Sequence, residues 1–171
     1  MRCAFERASA GRSCGFSLLE LVVSLTLVAV LVAVFLDRAL YYREQAEKAA
    51  MEQVAQDLRS SVNLRVAELA LDNRFAELAA LAAENPMELL SRKPQNYRGV
   101  LGAPGAQEVV TGNWYFDNVS KEVVYFVDLG EYFVTDGKGR KRVAWHIVLI
   151  PGARGLPQWA RFELVQPYRW F

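Results

Sequence analysis

Histidine occurs once in this chain, cysteine twice, and neither glycine nor proline occurs between Phe16 and Asn85. Each scarcity excludes something. Cys3 and Cys14 both precede a long apolar run, so the rest of the 171 residues has no disulfide framework and must be held by its core. His146, between Trp145 and Ile147 in a strand-like run, reads as a strand-face residue and not as a catalyst. The chain has no nucleophile elbow, no paired-histidine metalloprotease motif and no glycine-rich phosphate loop. No enzymatic activity and no cofactor are therefore expected. Asp117, Asp128 and Asp136 are scattered without a dense oxygen-ligand pattern, so no metal site is expected. The net charge of +1 gives no strong pull toward nucleic acid or anionic membrane. The one basic cluster, Lys138 to Arg142, reads as a solvated hairpin turn whose charge discourages edge pairing, with phosphate contact as the other reading.

What is present is a long apolar run. From Phe16 to Leu36 only Ser17, Glu20, Ser24 and Thr26 are not apolar. As a helix this stretch spans roughly 30 Å, the thickness of a bilayer's hydrocarbon core. The residues before it are basic: Arg2, Arg7 and Arg12 against Glu6. The charges after it, Asp37, Arg38, Arg43 and Glu44, are balanced. The positive-inside bias then keeps residues 1–15 in the cytoplasm and sends the remainder across the membrane. No small-residue cleavage pattern follows Leu36; the small residue, Gly15, stands before the run instead.

A short basic leader, then Gly15, Phe16, Ser17, Leu18, Leu19 and Glu20, then about 20 apolar residues, resembles the signal of type IV prepilins and type II secretion pseudopilins. The resemblance implies cleavage between Gly15 and Phe16 by a prepilin peptidase, with N-methylation of Phe16. It also implies that the Glu20 carboxylate meets the N-terminal ammonium of a neighbouring subunit in an assembled filament. The physics of Glu20 stands apart from the family. An unpaired carboxylate at membrane depth costs on the order of 3 kcal/mol or more, and pairing, protonation or a place near the interface relieves that cost. An interfacial, solvated Glu20 with no partner is the blander alternative. The partners implied are the peptidase, other pilin or pseudopilin subunits, an inner-membrane assembly platform and, before assembly, membrane lipid. Nucleic acid is not an expected partner.

Glycine and proline divide the rest. All six prolines, and nine of the eleven glycines, lie beyond Asn85. The stretch before that, rich in Ala, Leu, Glu, Arg and Gln, predicts a very long helix to about Leu71 and a second over roughly 74–84, with a break at Asp72-Asn73. Ala50, Val54, Leu58, Val62, Val66 and Leu69 form a helical stripe, to be buried in a coiled coil or, nearer at hand, on the strand-rich C-terminal half. At Asn85-Pro86-Met87-Glu88 a cap, a first-turn proline and a reciprocal capping glutamate predict a short helix. Residues 93–112 read as a connecting loop with one short strand near Tyr97. Beyond it, residues 113–117, 122–128, about 131–135, about 142–150 and 159–165 read as four or five antiparallel strands. Fourteen aromatic residues from Tyr97 onward supply one packed face plus scattered exposed rings.

The expected fold class is α+β, the pilin fold: a long N-terminal helix, membrane-spanning in its first half, packed on a small antiparallel sheet. The domains are then a leader at 1–15, a transmembrane and filament-core helix at 16–36, and a periplasmic domain at 37–171 with helix to about 84 and sheet over about 97–166. Many major pilins carry a proline near the outer end of the membrane helix and a C-terminal disulfide; this chain has neither, which favours a minor pilin or pseudopilin. An uncleaved, signal-anchored binding module is the alternative. The C-terminal Gln166 to Phe171 either docks on a neighbour or closes the sheet.

Overall fold

The computed structural model describes residues 17–101, 109–135, 139–152 and 157–171. The chain separates into two compact units, Met1–Tyr41 and Tyr42–Phe171. Helix α1 runs from Leu18 to Leu71, 54 residues. Its end is built as the Asp72-Asn73 pair predicts. Asn73 takes the left-handed conformation at φ 55°. Its amide bonds the Ala70 carbonyl, and the Arg74 amide bonds the Leu69 carbonyl at 2.8 Å, so two carbonyls of the last turn are satisfied. A 3-10 turn at Phe75–Glu77 and the single-turn helix α2, Leu78–Leu81, follow.

In the second unit α1 buries Met51, Ala55, Leu58, Val62, Val66 and Leu69. The stripe differs from the expected one at its start, where Met51 and Ala55 replace Ala50 and Val54. Steps of three and four admit either phase in an alanine-rich turn, and Met51 fills the space Ala50 cannot. The partner of this stripe is the sheet: Trp114, Phe116, Val123, Tyr125, Trp145, Ile147 and Phe162 share its core, together with Leu78, Leu81 and Met87.

The segment Asn85–Leu90 is a 3-10 turn over Pro86–Leu89, with the Asn85 side chain accepting from the Met87 amide at 3.1 Å. Glu88 does not reach back as expected; its carboxylate takes Lys93 at 2.7 Å. Among the described residues seven strands follow: β1 Tyr97–Leu101, β2 Asn113–Asp117, β3 Glu122–Phe126, β4 Phe133–Thr135, β5 Arg142–Pro151, β6 Pro157–Leu164 and β7 Tyr168–Trp170. Five form one sheet in the order β1-β2-β3-β5-β6, and β4 pairs with β7 in a second.

Two features correct the expectation of one antiparallel sheet. First, β1 runs parallel to β2, so the main sheet is mixed. A two-residue turn would have imposed an antiparallel pair; eleven residues separate Leu101 from Asn113. The start of β1 is anchored by side chains: Asn96 donates to the Gly112 carbonyl at 2.8 Å and Arg98 to Asn113 at 2.8 Å. Second, β4 leaves the main sheet and pairs with β7, because β3 pairs directly with β5. The C-terminal segment thereby closes a sheet of its own, with Phe133 packed edge-on to Trp170 at 5.2 Å. The turn expected at Asp136 to Gly139 lies mostly outside the described residues.

The aromatics fill two faces, not one. Trp114 contacts Tyr125 at 5.0 Å and Trp145 at 5.3 Å on the helix side. Tyr115, Val124 and Phe126 bury against Leu101, Val109 and Ala144 on the other. Because β2 and β3 are covered on both sides, they read as continuous apolar runs.

Leu58 is fully buried in the contact between α1 and the sheet. Leu58→Ala should lower the stability of the second unit by about 2–5 kcal/mol, through lost transfer energy plus a cavity. Denaturant unfolding of the full chain in detergent, followed by tryptophan fluorescence, measures this; a loss under about 1 kcal/mol would contradict the packing.

Candidate functional site

The apolar half of α1 begins with a cap. The Ser17 hydroxyl accepts from the Glu20 amide at 3.2 Å, and the Ser17 carbonyl takes the Leu21 amide at 3.0 Å. Ser17-Leu18-Leu19-Glu20 has the spacing of a capping box, of which the Ser17 half is formed. An acidic residue in the first turn also meets the positive end of the helix dipole. Glu20 is exposed, one turn into the helix. Gly15 and Phe16 lie outside the described residues, so their approach to Glu20 is not part of the described structure.

Beyond Glu20 the helix surface is apolar all round. Every large apolar side chain from Leu18 to Leu36 is more than half exposed, from 54% at Val22 to 80% at Leu18. Thr26 folds its hydroxyl back on the Val22 carbonyl at 2.8 Å, which satisfies it without water. An apolar surface of this extent is not one that a helix leaves in water. By length and composition it is able to cross a membrane.

A second constellation sits where α1 enters the second unit. Glu44, 3% exposed, accepts from the Trp170 indole at 2.8 Å and the Tyr132 amide at 3.0 Å. One turn on, Glu47 accepts from the Tyr125 hydroxyl at 3.0 Å and from the Asp128 and Leu129 amides at 2.7 Å each. Two carboxylates of one helix thus collect the loop after β3 and the C-terminal strand. Lys48 adds a bond of 2.9 Å to the Trp170 carbonyl. Nothing in the sequence groups these residues; Glu44 stands there only in the balanced set of charges after the apolar run. Their partners are 78 to 126 residues away. Held by amides and ring donors from other elements, these carboxylates fasten the C-terminal strand and the loop after β3 to α1.

The other singled-out residues are placed as follows. His146 is half-buried on β5, in register between Glu122 of β3 and Glu163 of β6. Asp117 accepts the Val119 and Ser120 amides in the β2–β3 turn. Asp128 takes the Thr111 hydroxyl. Asp136 and Lys138 lie outside the described residues. Arg140 donates to the Val109 carbonyl at 3.2 Å, and Lys141 to the Gly130 carbonyl, so both cations tie down loops. Among the described residues no group of three or more His, Cys, Asp or Glu is placed to hold a metal ion.

Residues 11–36 match the family model of the prokaryotic N-terminal methylation motif. This is the signal of type IV pilins and pseudopilins, and the α+β layout, a long N-terminal helix followed by a small mixed sheet, fits the pilin fold. No curated protein and no solved structure matches the chain. The motif marks a pilin-like or pseudopilin precursor, a structural class whose members are processed by prepilin peptidase and assemble with other pilins.

Two tyrosines of the second unit lock to α1 through acidic partners. Burial pushes the Tyr168 hydroxyl up to about 12, and the neighbouring Glu52 carboxylate adds to the rise. Burial and then Glu47 raise Tyr125 further. A raised folded-state value favours the protonated hydroxyl in the fold. The resulting stabilisation is present below pH 10 and is lost as pH climbs from 10 through about 12 for Tyr168, and higher still for Tyr125. An ultraviolet tyrosinate titration should show Tyr125 and Tyr168 ionising late, with Tyr97 also raised by its burial, and Tyr168→Phe should shrink the stability loss in that window. Titration of every tyrosine near the ordinary value would contradict the packing.

Proposed function

We propose that this chain is a minor pilin or pseudopilin, a structural subunit of a type IV pilus or type II secretion-like filament. The observation that carries the reading is Glu20: a lone charge in an apolar, membrane-length helix, five residues beyond Gly15 within the methylation motif. Residues 1–15 act as the leader, residues 16–36 as the membrane and filament-core helix, and residues 37–171 as the periplasmic domain. Prepilin peptidase cuts between Gly15 and Phe16, and the amine of Phe16 is methylated. The basic leader keeps the N-terminus in the cytoplasm until then.

The mechanism is assembly, not catalysis. In lipid the apolar half of α1 loses nothing by exposure. Glu20 is the exception. Near the interface its carboxylate keeps water; deeper, it needs a cation. The ammonium of Phe16 on a neighbouring subunit is that cation. Extraction from the membrane exchanges lipid contacts for helix–helix contacts along residues 16–36, and the charge pair sets which neighbour fits. A residue costly alone and satisfied in company biases the chain toward the oligomer. Work for extraction comes from a cytoplasmic motor; the sequence itself carries no glycine-rich phosphate loop. The absence of cysteine after Cys14, and of proline from Phe16 to Asn85, supports a minor over a major subunit.

Glu20→Ala should leave the second unit folded and the chain in the membrane, yet lower its share of the sheared filament fraction about tenfold or more, as expected for loss of a desolvated ion pair. Quantitative immunoblotting of membrane and filament fractions reads this out. Normal incorporation of the Ala variant would refute the pairing.

A further inference from the structure

The two-stranded sheet of β4 and β7 has one buried and one exposed side. Phe133 pairs with Trp170, and both are buried. Val134 pairs with Arg169, and both are exposed. The same register carried one step past Phe133 and Trp170 sets Tyr132 beside Phe171. Their rings stack with centroids 5.2 Å apart. Tyr132 is 45% exposed, Val134 50% and Phe171 40%. Arg169 is in no ion pair or hydrogen bond with a described residue. The exposed carboxylate next to this patch in the chain is Glu131.

The patch is fastened close to the apolar run. Glu44 holds it, through the Tyr132 amide at 3.0 Å and the Trp170 indole at 2.8 Å. Lys48 lies 5.8 Å over the Phe171 ring. Glu44 follows closely on Leu40 and Tyr42, which are 48% and 64% exposed. Exposed apolar and aromatic side chains therefore continue along the chain almost to the residue that holds the patch. Tyrosine in that place is typical of a span where it meets the headgroups. The chain from Leu36 to Glu44 reaches at most about 28 Å, whatever the arrangement of the two units.

Four side chains make a small surface. A stable contact between proteins uses about 20–30 residues a side, more than this patch offers. A lipid surface needs no matching shape, and a patch tethered this close meets it at high local concentration. Aromatic rings take the boundary between headgroup and acyl chain, and a guanidinium takes a lipid phosphate. We propose that the exposed side of the β4–β7 sheet rests on the phospholipid headgroups of the membrane that residues 16–36 cross. Tyr132 and Phe171 sit at the boundary and Arg169 on phosphate. This rests on the reading of residues 16–36 as a membrane span, and it uses neither the cut at Gly15 nor the pairing of Glu20.

The test uses the full chain with Cys3→Ser and Cys14→Ser, at one chain per nanodisc of phosphatidylcholine and phosphatidylglycerol in equal parts. One introduced cysteine carries an environment-sensitive fluorophore, and the quencher is a nitroxide on the lipid headgroup. Val134→Cys reports on the patch. Val119→Cys, at an 87% exposed position of the β2–β3 turn, reports on another surface. Val28→Cys, with the nitroxide moved to the acyl chain, reports on the span. The expected result is quenching severalfold stronger at Val134→Cys than at Val119→Cys. Tyr132→Ser combined with Phe171→Ser should lower the bound-to-free ratio about tenfold through lost ring burial. Arg169→Gln should lower it about fivefold, as for one cation near an anionic surface. If the ring variant loses its native tryptophan emission, Arg169→Gln decides alone. Equal quenching at Val134→Cys and Val119→Cys, with Val28→Cys quenched, would overturn the inference and leave the span standing. Quenching that these substitutions leave unchanged would overturn it too. Shielding of Val134→Cys only when two chains share a disc would overturn it in favour of a second copy. An unquenched Val28→Cys would overturn the span and this inference with it.

Discussion

The contact between α1 and the sheet is the constraint on which the rest of the second unit depends. Met51, Ala55, Leu58, Val62, Val66 and Leu69 bury one stripe of the helix. The sheet supplies Trp114, Trp145 and Phe162 in return, stacked along its inner face. Without the helix that aromatic face is open to water; without the sheet the stripe is. The mixed topology, the second aromatic cluster and the two-stranded sheet are all built around this pairing. The stripe begins at Met51, and the residues from Leu18 to Leu36 have no such face. One element therefore carries two different surfaces, a single buried stripe in its later part and an apolar surface all round in its earlier part.

Three glutamates on that helix show how environment sets what a carboxylate does. Glu44 is buried and takes an indole and an amide. Glu47 takes a hydroxyl and two amides. Each is satisfied within the chain, so each holds the C-terminal strand and the loop after β3 to α1. Glu20 has helix-terminal dipole and the Ser17 cap around it, but no donor side chain from its own chain among the described residues. In apolar surroundings such a group needs a partner from elsewhere. Under the filament reading the first two build the subunit and the third builds the assembly.

Much of this was legible beforehand, for identifiable reasons. The end of α1 was marked by Asp72-Asn73, because a left-handed Asn is a local property of two residues. The glycine and proline partition separated helix from sheet, because both residues act on the backbone where they stand. The motif from Gly15 to Glu20 was legible because its spacing is short. What was not legible depends on contacts across the fold. The parallel entry of β1 follows from Asn96 and Arg98 finding Gly112 and Asn113, not from the local pattern of Tyr97 to Leu101. The departure of β4 follows from β3 choosing β5. The roles of Glu44 and Glu47 come from Tyr132, Trp170 and Tyr125, which arrive from the other half of the chain. The phase of the stripe at Ala50 and Met51 was lost because alanine fits either face.

The central claim, that this chain is a processed filament subunit, is tested most directly by the intact mass and N-terminal sequence of the protein purified from membranes that contain an active prepilin peptidase. The account predicts a chain beginning at Phe16 and heavier than the bare cleaved sequence by one methyl group. A chain that still begins at Met1 would contradict it and leave a signal-anchored domain in its place.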